Sequence, residues 1–172
     1  MYRFFYLIIM FWVLFTLPAC GQQKTSAYDL MLRGLYNNTV PQISIEQLNQ
    51  QLESKTQVML LDTRSYHEFK VSHLKGATFA DYDQFDIDAL AAVPKSAPIV
   101  VYCSVGYRSE QIGEKLLQAG YTNVQNLYGG IFKWVNEEQP VYNAKGRTKQ
   151  VHAYSSTWGI WLQKGEKVYG EK

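Results

Sequence analysis

PIVVYCSVGYRS, residues 98–109, is the stretch that decides the fold. It begins with a short run of apolar and β-branched residues, which is typical of a strand buried on both faces of a parallel sheet. The run ends at Cys103, and a loop that contains Gly106 follows it. Beyond the loop, Ile112 and Leu116 recur at helical spacing. The stretch therefore predicts a strand, a loop and a helix, with Cys103 at the carboxyl end of the strand, where ligands bind in open α/β sheets.

The segments on either side repeat this alternation of helix and strand. Two of the predicted helices begin with a serine followed three residues later by Gln47 or Glu68, a pattern known as a capping box. The other predicted elements follow from apolar runs and turn residues. In chain order, the prediction is a helix at residues 45–52, a strand at 58–61, a short helix after Ser65, an extended segment at 75–79, a weak helix at 87–93, a strand at 124–127 and a last core helix ended by Pro140. Such alternation predicts an α/β fold with a mainly parallel central sheet flanked by helices.

The loop after the central strand has the features of a site for an anionic sulfur. Gly106 allows a positive φ inside a tight turn, and the backbone N–H groups at the start of a helix attract negative charge. Arg108 keeps its charge at any accessible pH. Such surroundings stabilise a thiolate, so Cys103 is a candidate nucleophile. The alternative interpretation is a buried and inert cysteine at the end of a core strand.

Two stretches of the chain resemble the signatures of the rhodanese family. The first is LLDTRSYHEFKVSHLKGATF at residues 60–79, and the second is IVVYCSVGYRSEQIGEKLLQAGYTNVQNLYGGIFKW at residues 99–134. The resemblance extends from about residue 43 to residue 141. It implies a three-layer α/β fold with a mainly parallel central sheet flanked by helices.

The same resemblance implies a role for each residue of the loop. Cys103 matches the family's nucleophile, which accepts sulfane sulfur as a persulfide. The five following residues match the loop that holds the charged sulfur: Ser104, Val105, Gly106, Tyr107 and Arg108. Asp62 and Arg64 match a D-x-R element that supports the active loop. The resemblance implies neither a metal nor a cofactor.

The implied function is that of a sulfurtransferase. Such an enzyme moves sulfane sulfur from thiosulfate, a polysulfide or a persulfide to a thiophilic acceptor, such as a thiol or a cyanide-like nucleophile. The Cys-x4-Arg spacing from Cys103 to Arg108 favours sulfur over the tetrahedral oxyanions of related phosphatases, whose loops are one residue longer. Arg108 is the one cation in the loop, which argues against thiosulfate as the physiological donor. The alternative is a non-enzymatic module that carries a persulfide or docks a partner at the cell envelope.

The beginning of the chain is typical of an exported, lipid-anchored protein. Arg3 precedes an apolar run at residues 4–15, which is short for a membrane-spanning helix and fits the core of a signal peptide. LPAC at residues 17–20 resembles a lipobox, so we expect residues 1–19 to be removed and Cys20 to be lipidated. The alternative is an uncleaved membrane anchor. We therefore expect an extracytoplasmic protein on the periplasmic face of the bacterial envelope, at the outer membrane rather than the inner one.

The remaining chain then has three parts. They are a tether at residues 20–40, a rhodanese-like domain at residues 41–142 and a C-terminal extension at residues 143–172 packed on that domain. With Cys20 lipidated, Cys103 has no partner for a disulfide bond. The formal net charge of +2 gives no reason to expect a nucleic-acid partner, and we expect a monomer. Basic residues outnumber acidic ones from Lys145 onward, which is typical of a solvated tail or of a segment attracted to anionic lipid.

Overall fold

A five-stranded parallel sheet forms the centre of the molecule, in a computed structural model that describes residues 26–54 and 57–170. The strands are β1 (Gln42–Ile43), β2 (Met59–Asp62), β3 (Thr78–Phe79), β4 (Ile99–Tyr102) and β5 (Val124–Leu127). Their order across the sheet is β1-β5-β4-β2-β3, and every neighbouring pair is parallel. The strand that carries Cys103 at its end is therefore the middle strand, covered on both faces.

Helices flank this sheet, and the predicted α/β fold is confirmed. They are α1 (Ala27–Leu35), α2 (Ile45–Glu53), α3 (Tyr66–Val71), α4 (Tyr107–Gln118), α5 (Gly130–Asn136) and the short α6 (Ser156–Gly159), with one 3-10 turn at Asp88–Leu90. The capping boxes predicted at the starts of α2 and α3 both form. The last core helix ends at Asn136, before the predicted stop at Pro140. The reason is Glu138, whose φ of 63° reverses the chain while Gln139 N–H donates back to the carbonyl of Trp134.

The middle strand divides the apolar interior into two clusters. Val100 and Tyr102 pack into the cluster under α1, α2 and α5, whereas Ile99 and Val101 pack into the cluster under α4. Since successive side chains of a strand point to opposite faces, this division is what a sheet between two helical layers requires. The continuous apolar run in the sequence thus reflects burial on both faces.

The folded unit begins before the expected domain boundary at residue 41. Ser26 caps α1 with a further capping box to Asp29, and Leu32 of α1 is fully buried in the same cluster as α2 and α5. Residues 26–40 are therefore part of the core and not the tether that the polar start of this segment suggested. Cys20 and the expected signal peptide at residues 1–19 lie outside the described residues.

The C-terminal extension also contributes to the core. Its hairpin consists of β6 (Val141–Asn143) and β7 (Gly146–Thr148), and a second pair is formed by the parallel strands β8 (Gln150–His152) and β9 (Glu166–Val168). Val151 and Leu162 are fully buried against the cluster that contains α5. No helix in the described ranges is both long and apolar enough to cross a membrane.

Candidate active site

Cys103 lies at the bottom of a cavity at the carboxyl end of β4. Its thiol is free, only 1% of the residue is exposed, and its Sγ accepts a hydrogen bond of 3.1 Å from the N–H of Gly106. Gly106 adopts a φ of 101° and forms the start of α4, so the loop closes around the sulfur as predicted from its glycine. The cavity has a volume of about 320 Å³. Beside the loop residues, which include Tyr107, it is lined by the aromatic side chains Tyr82, Tyr154 and Trp158.

The carbonyls of the loop are held from outside by α5 and β5. The N–H of Ile131 donates to the Cys103 carbonyl at 2.9 Å, and the N–H of Phe132 donates to the Ser104 carbonyl at 3.0 Å. The amide of Asn126 donates to the Gly106 carbonyl at 2.9 Å. When the carbonyls of a tight loop are fixed on its outer side, its N–H groups point inward and form a concave site for an anion.

Tyr36 of the N-terminal segment completes this support, and sequence reasoning missed it. Its hydroxyl donates to the Val105 carbonyl at 2.5 Å and accepts from the N–H of Gly129 at 2.9 Å. A Cβ atom on Gly106 would lie 2.1 Å from the same hydroxyl. Tyr36 thus fixes the loop and explains why the loop needs glycine for space as well as for its φ. The signal was present in the sequence, since Tyr28, Leu32 and Tyr36 recur at intervals of four residues.

Arg108 is paired with a carboxylate and does not face the sulfur as an isolated cation. Its guanidinium donates to both carboxylate oxygens of Glu68 at 3.0–3.2 Å and to the hydroxyl of Ser104 at 3.2 Å. Burial alone would raise the pKa of Glu68, but the charges of Arg108 and Arg64 lower it to about 2. Glu68 is therefore ionised at neutral pH, and it offsets much of the charge that the sequence analysis assigned to the loop.

Glu68 is the second site residue that sequence reasoning missed. The capping box explained its presence locally, and its carboxylate does accept the N–H of Ser65 at 3.0 Å. Its other oxygen accepts the hydroxyl of Ser104 at 3.0 Å, so one buried side chain joins the start of α3 to the active loop. Ser104 and Arg108 follow Glu68 in the chain by 36 and 40 positions, so only the folded structure shows that the three side chains meet.

Asp62 and Arg64 lie at the end of β2, the strand next to β4. Asp62 is directly opposite Tyr102 in the sheet register. The two side chains are fully buried and form a salt bridge of 2.6 Å, and Arg64 also donates to the Ser72 carbonyl at 2.5 Å. The pair thus joins β2 to the segment after α3, and neither residue lines the cavity. Among residues 26–54 and 57–170, no group of three or more His, Cys, Asp or Glu side chains is placed to hold a metal ion.

Comparisons with known proteins agree with this geometry. The family described as the rhodanese-like domain matches residues 44–137. A protein of Allochromatium vinosum named sulfurtransferase is 33% identical over 107 residues, which are 62% of this chain and 99% of that protein. A tRNA uridine(34) hydroxylase of Bdellovibrio bacteriovorus is 31% identical over 101 residues, but the chain spans only 28% of its length.

Solved structures share the fold. The rhodanese-like domain of a protein from Anabaena sp. is 26% identical, with a TM-score of 0.55 over 60% of this chain and 79% of that one. A thiosulfate sulfurtransferase from Pseudomonas aeruginosa is 20% identical, with a TM-score of 0.56 over 72% of this chain and 23% of that one. The second likeness bears on the fold alone.

Proposed function

The chain belongs to the rhodanese-like domain family, and from that premise we propose that it transfers sulfane sulfur through a persulfide on Cys103. A sulfurtransferase-type function is supported by the family and by the relative of that name, which the chain covers almost completely. The proposed donor is a persulfide, a polysulfide or thiosulfate, and the proposed acceptor is a thiol or a cyanide-like nucleophile.

The transfer consists of two displacements at sulfur. The Cys103 thiolate attacks the outer sulfur of a donor R–S–SH, a bond forms between Sγ and that sulfur, and the donor's S–S bond breaks with its electron pair leaving on R–S⁻. An acceptor thiolate then attacks the outer sulfur of the persulfide, and the Cys103 thiolate leaves. Sulfur moves at an unchanged oxidation state, so the cycle needs no external oxidant or reductant.

The observation that carries the proposal is the contact between the Gly106 N–H and Cys103 Sγ at 3.1 Å. A backbone donor of this kind stabilises negative charge on sulfur without requiring reorganisation when the charge develops. The cavity above the sulfur admits a small donor, and the loop carbonyls are tied away from it. This environment suits a thiolate and a persulfide alike.

We expect the protein to gain one sulfur atom on Cys103 when it is exposed to a donor, and Cys103→Ser to gain none. Intact-protein and peptide mass spectrometry locates the added sulfur, and release of thiocyanate or of an acceptor persulfide measures turnover. Ser96→Ala is the matched control, because this exposed serine does not line the cavity and its loss leaves the nucleophile and the loop intact. Sulfur on the Cys103→Ser protein, or no sulfur on the wild type with any donor, would overturn the proposal. A persulfide that no acceptor discharges would indicate a carrier and not an enzyme.

We also propose that a lipid on Cys20 anchors the protein to the periplasmic face of the envelope. The support is the LPAC motif after the apolar run at residues 4–15. The described structure begins at Ser26, six positions after Cys20, and six residue-to-residue steps reach at most roughly 22 Å. The active site would then work close to the membrane surface.

Cys20→Ala is expected to abolish lipid labelling and membrane association. Metabolic labelling with palmitate and detergent partitioning of the wild type and the variant measure both. Cys103→Ala is the control, because it removes the other cysteine of the chain and leaves the lipobox intact. Equal labelling of wild type and Cys20→Ala would contradict the anchor.

A further inference from the structure

The mouth of the active-site cavity is built largely from aromatic side chains, and two of them come from the C-terminal extension. Tyr154 and Trp158 line the cavity, and both lie outside residues 44–137, the part that matches the family. Tyr107 of the loop and Tyr82 line it as well. We call these four side chains the aromatic rim. The extension thus adds a wall to a site whose nucleophile belongs to the family domain.

The extension holds this wall firmly against the domain. Asn136, at the end of α5, donates to the Trp161 carbonyl at 2.8 Å and accepts the N–H groups of Gln163 and Lys164 at 2.7 and 3.1 Å. Leu162, between them, is fully buried. Trp158 lies one turn before these contacts, in the short helix α6 that Ser155 caps. A wall anchored in this way presents a preformed surface to a ligand.

Tyr154 occupies a backbone conformation that tyrosine rarely adopts. Its φ is 64°, and its N–H donates to Nδ1 of His152 at 3.2 Å. In this conformation the ring lies with its centroid 5.1 Å from the guanidinium carbon of Arg108. A non-glycine residue in the left-handed region is strained, and such strain often marks a functional position. Here it places an aromatic face at the cavity.

The charge in the cavity is small. Within the part of the chain that the structure describes, Arg108 is the one cationic side chain that lines it. Its guanidinium is bonded to the ionised Glu68, and the Tyr154 ring lies beside it, with 5.1 Å from the guanidinium carbon to the ring centroid. A dianion such as thiosulfate therefore meets a nearly neutral wall. The volume of about 320 Å³ corresponds to roughly ten water molecules, which exceeds what the five heavy atoms of thiosulfate fill.

We propose that the aromatic rim selects sulfane-sulfur donors whose carrier group is organic and apolar, in preference to thiosulfate. This inference rests on the proposed function of Cys103 and names the donor class for that site. Trp158 and Tyr154 contact the carrier group, while the sulfur is passed to Cys103. For a thiosulfonate R–SO2–S⁻, the Cys103 thiolate attacks the terminal sulfur, an S–S bond to Sγ forms, and the bond between the two donor sulfurs breaks to release the sulfinate R–SO2⁻.

The test compares three donors that differ only in the carrier group: thiosulfate, methanethiosulfonate and benzenethiosulfonate. The rate of Cys103 loading is measured by mass spectrometry and divided by the rate with N-acetylcysteine, which corrects for intrinsic reactivity. We expect the corrected rates to rise from thiosulfate to methanethiosulfonate to benzenethiosulfonate. Trp158→Ala is expected to lower the ratio of the benzene to the methane donor by about tenfold. Trp158→Phe, which keeps a ring, is expected to retain most of the ratio.

Tyr66→Ala is the matched control, because this exposed aromatic side chain does not line the cavity, and we expect the same ratio as in the wild type. Tyr154→Ala provides a second variant in case Trp158→Ala fails to fold, as judged by circular dichroism. A merely structural role for the rim would slow both thiosulfonates equally and leave the ratio unchanged, which would overturn the inference. Loading by a polysulfide but by none of these three donors would also overturn the inference, whereas loading by no donor at all, polysulfide included, would overturn the proposed function, so the two failures are distinguishable.

Discussion

Glu68→Ala is expected to lower the free energy of unfolding by about 3 kcal/mol, because it leaves a mostly buried cation without its partner. Glu68 accepts three hydrogen bonds from the Arg108 guanidinium and one from the Ser104 hydroxyl, and its side chain is 3% exposed. Its loss leaves Arg108 without a counter-ion beside the active loop. Chemical denaturation of the wild type and the variant at pH 7 measures the difference.

Glu137→Ala is the matched control, because Glu137 also bonds a cation, Lys133, at 3.0 Å but is 43% exposed. Exposed pairs of this kind contribute less than about 1 kcal/mol. Similar losses from Glu68→Ala and Glu137→Ala would contradict the structural role given to Glu68.

The same carboxylate predicts a dependence of stability on pH. The pKa of Glu68 is about 2 in the folded protein, below its ordinary value of 4.5. The ionised carboxylate therefore contributes on the order of 3 kcal/mol to the free energy of unfolding above about pH 5, and this contribution is lost as the pH falls toward 2. The stability difference between the wild type and Glu68→Ala should shrink over this interval. A difference that stays constant from pH 6 to pH 2 would contradict the assignment.

The central part of the fold was predictable because its signals are local. A strand buried on both faces produces a continuous apolar run such as residues 99–102, and a capping box such as that at Ser44 needs only four neighbouring residues. The active loop was predictable for the same reason, since Cys103, Gly106 and Arg108 lie within six residues. What these local signals describe is the nucleophile and the turn around it.

The residues that support the active loop were not predictable, because they come from distant parts of the chain. Glu68 already had a sufficient local explanation as a helix cap, and nothing in its neighbourhood indicates that Arg108 would approach it. Trp158 lies at helical spacing from Trp161 and Leu162, but that spacing does not show which surface the side chain covers. The role of Tyr36 was not predicted because its segment begins with polar residues, although its spacing from Leu32 and Tyr28 is helical.

Gly130→Ala is expected to destabilise the protein by about 3 kcal/mol and to slow sulfur loading about a hundredfold. A Cβ atom at this position would lie 2.4 Å from the Cys103 carbonyl oxygen and 2.8 Å from the carbonyl group of Ser104. The backbone cannot separate freely, because the N–H groups of Ile131 and Phe132 donate to these same carbonyls. The active loop must therefore shift, and a displacement near 1 Å at reacting atoms costs about a hundredfold in rate.

The φ of 56° at Gly130 adds a cost that is independent of this clash, and a second glycine separates the two effects. Gly76 has a φ of 76°, and a Cβ atom there would meet nothing within 4 Å. Gly76→Ala therefore measures the conformational cost alone, about 1–2 kcal/mol, with sulfur loading near that of the wild type. The excess loss of stability in Gly130→Ala, by denaturation, is then the cost of contact with the loop, and its excess loss of loading rate measures how strongly that contact positions Cys103. Equal stability and equal loading in the two variants would mean that the close approach of α5 to the loop does not hold the nucleophile in place.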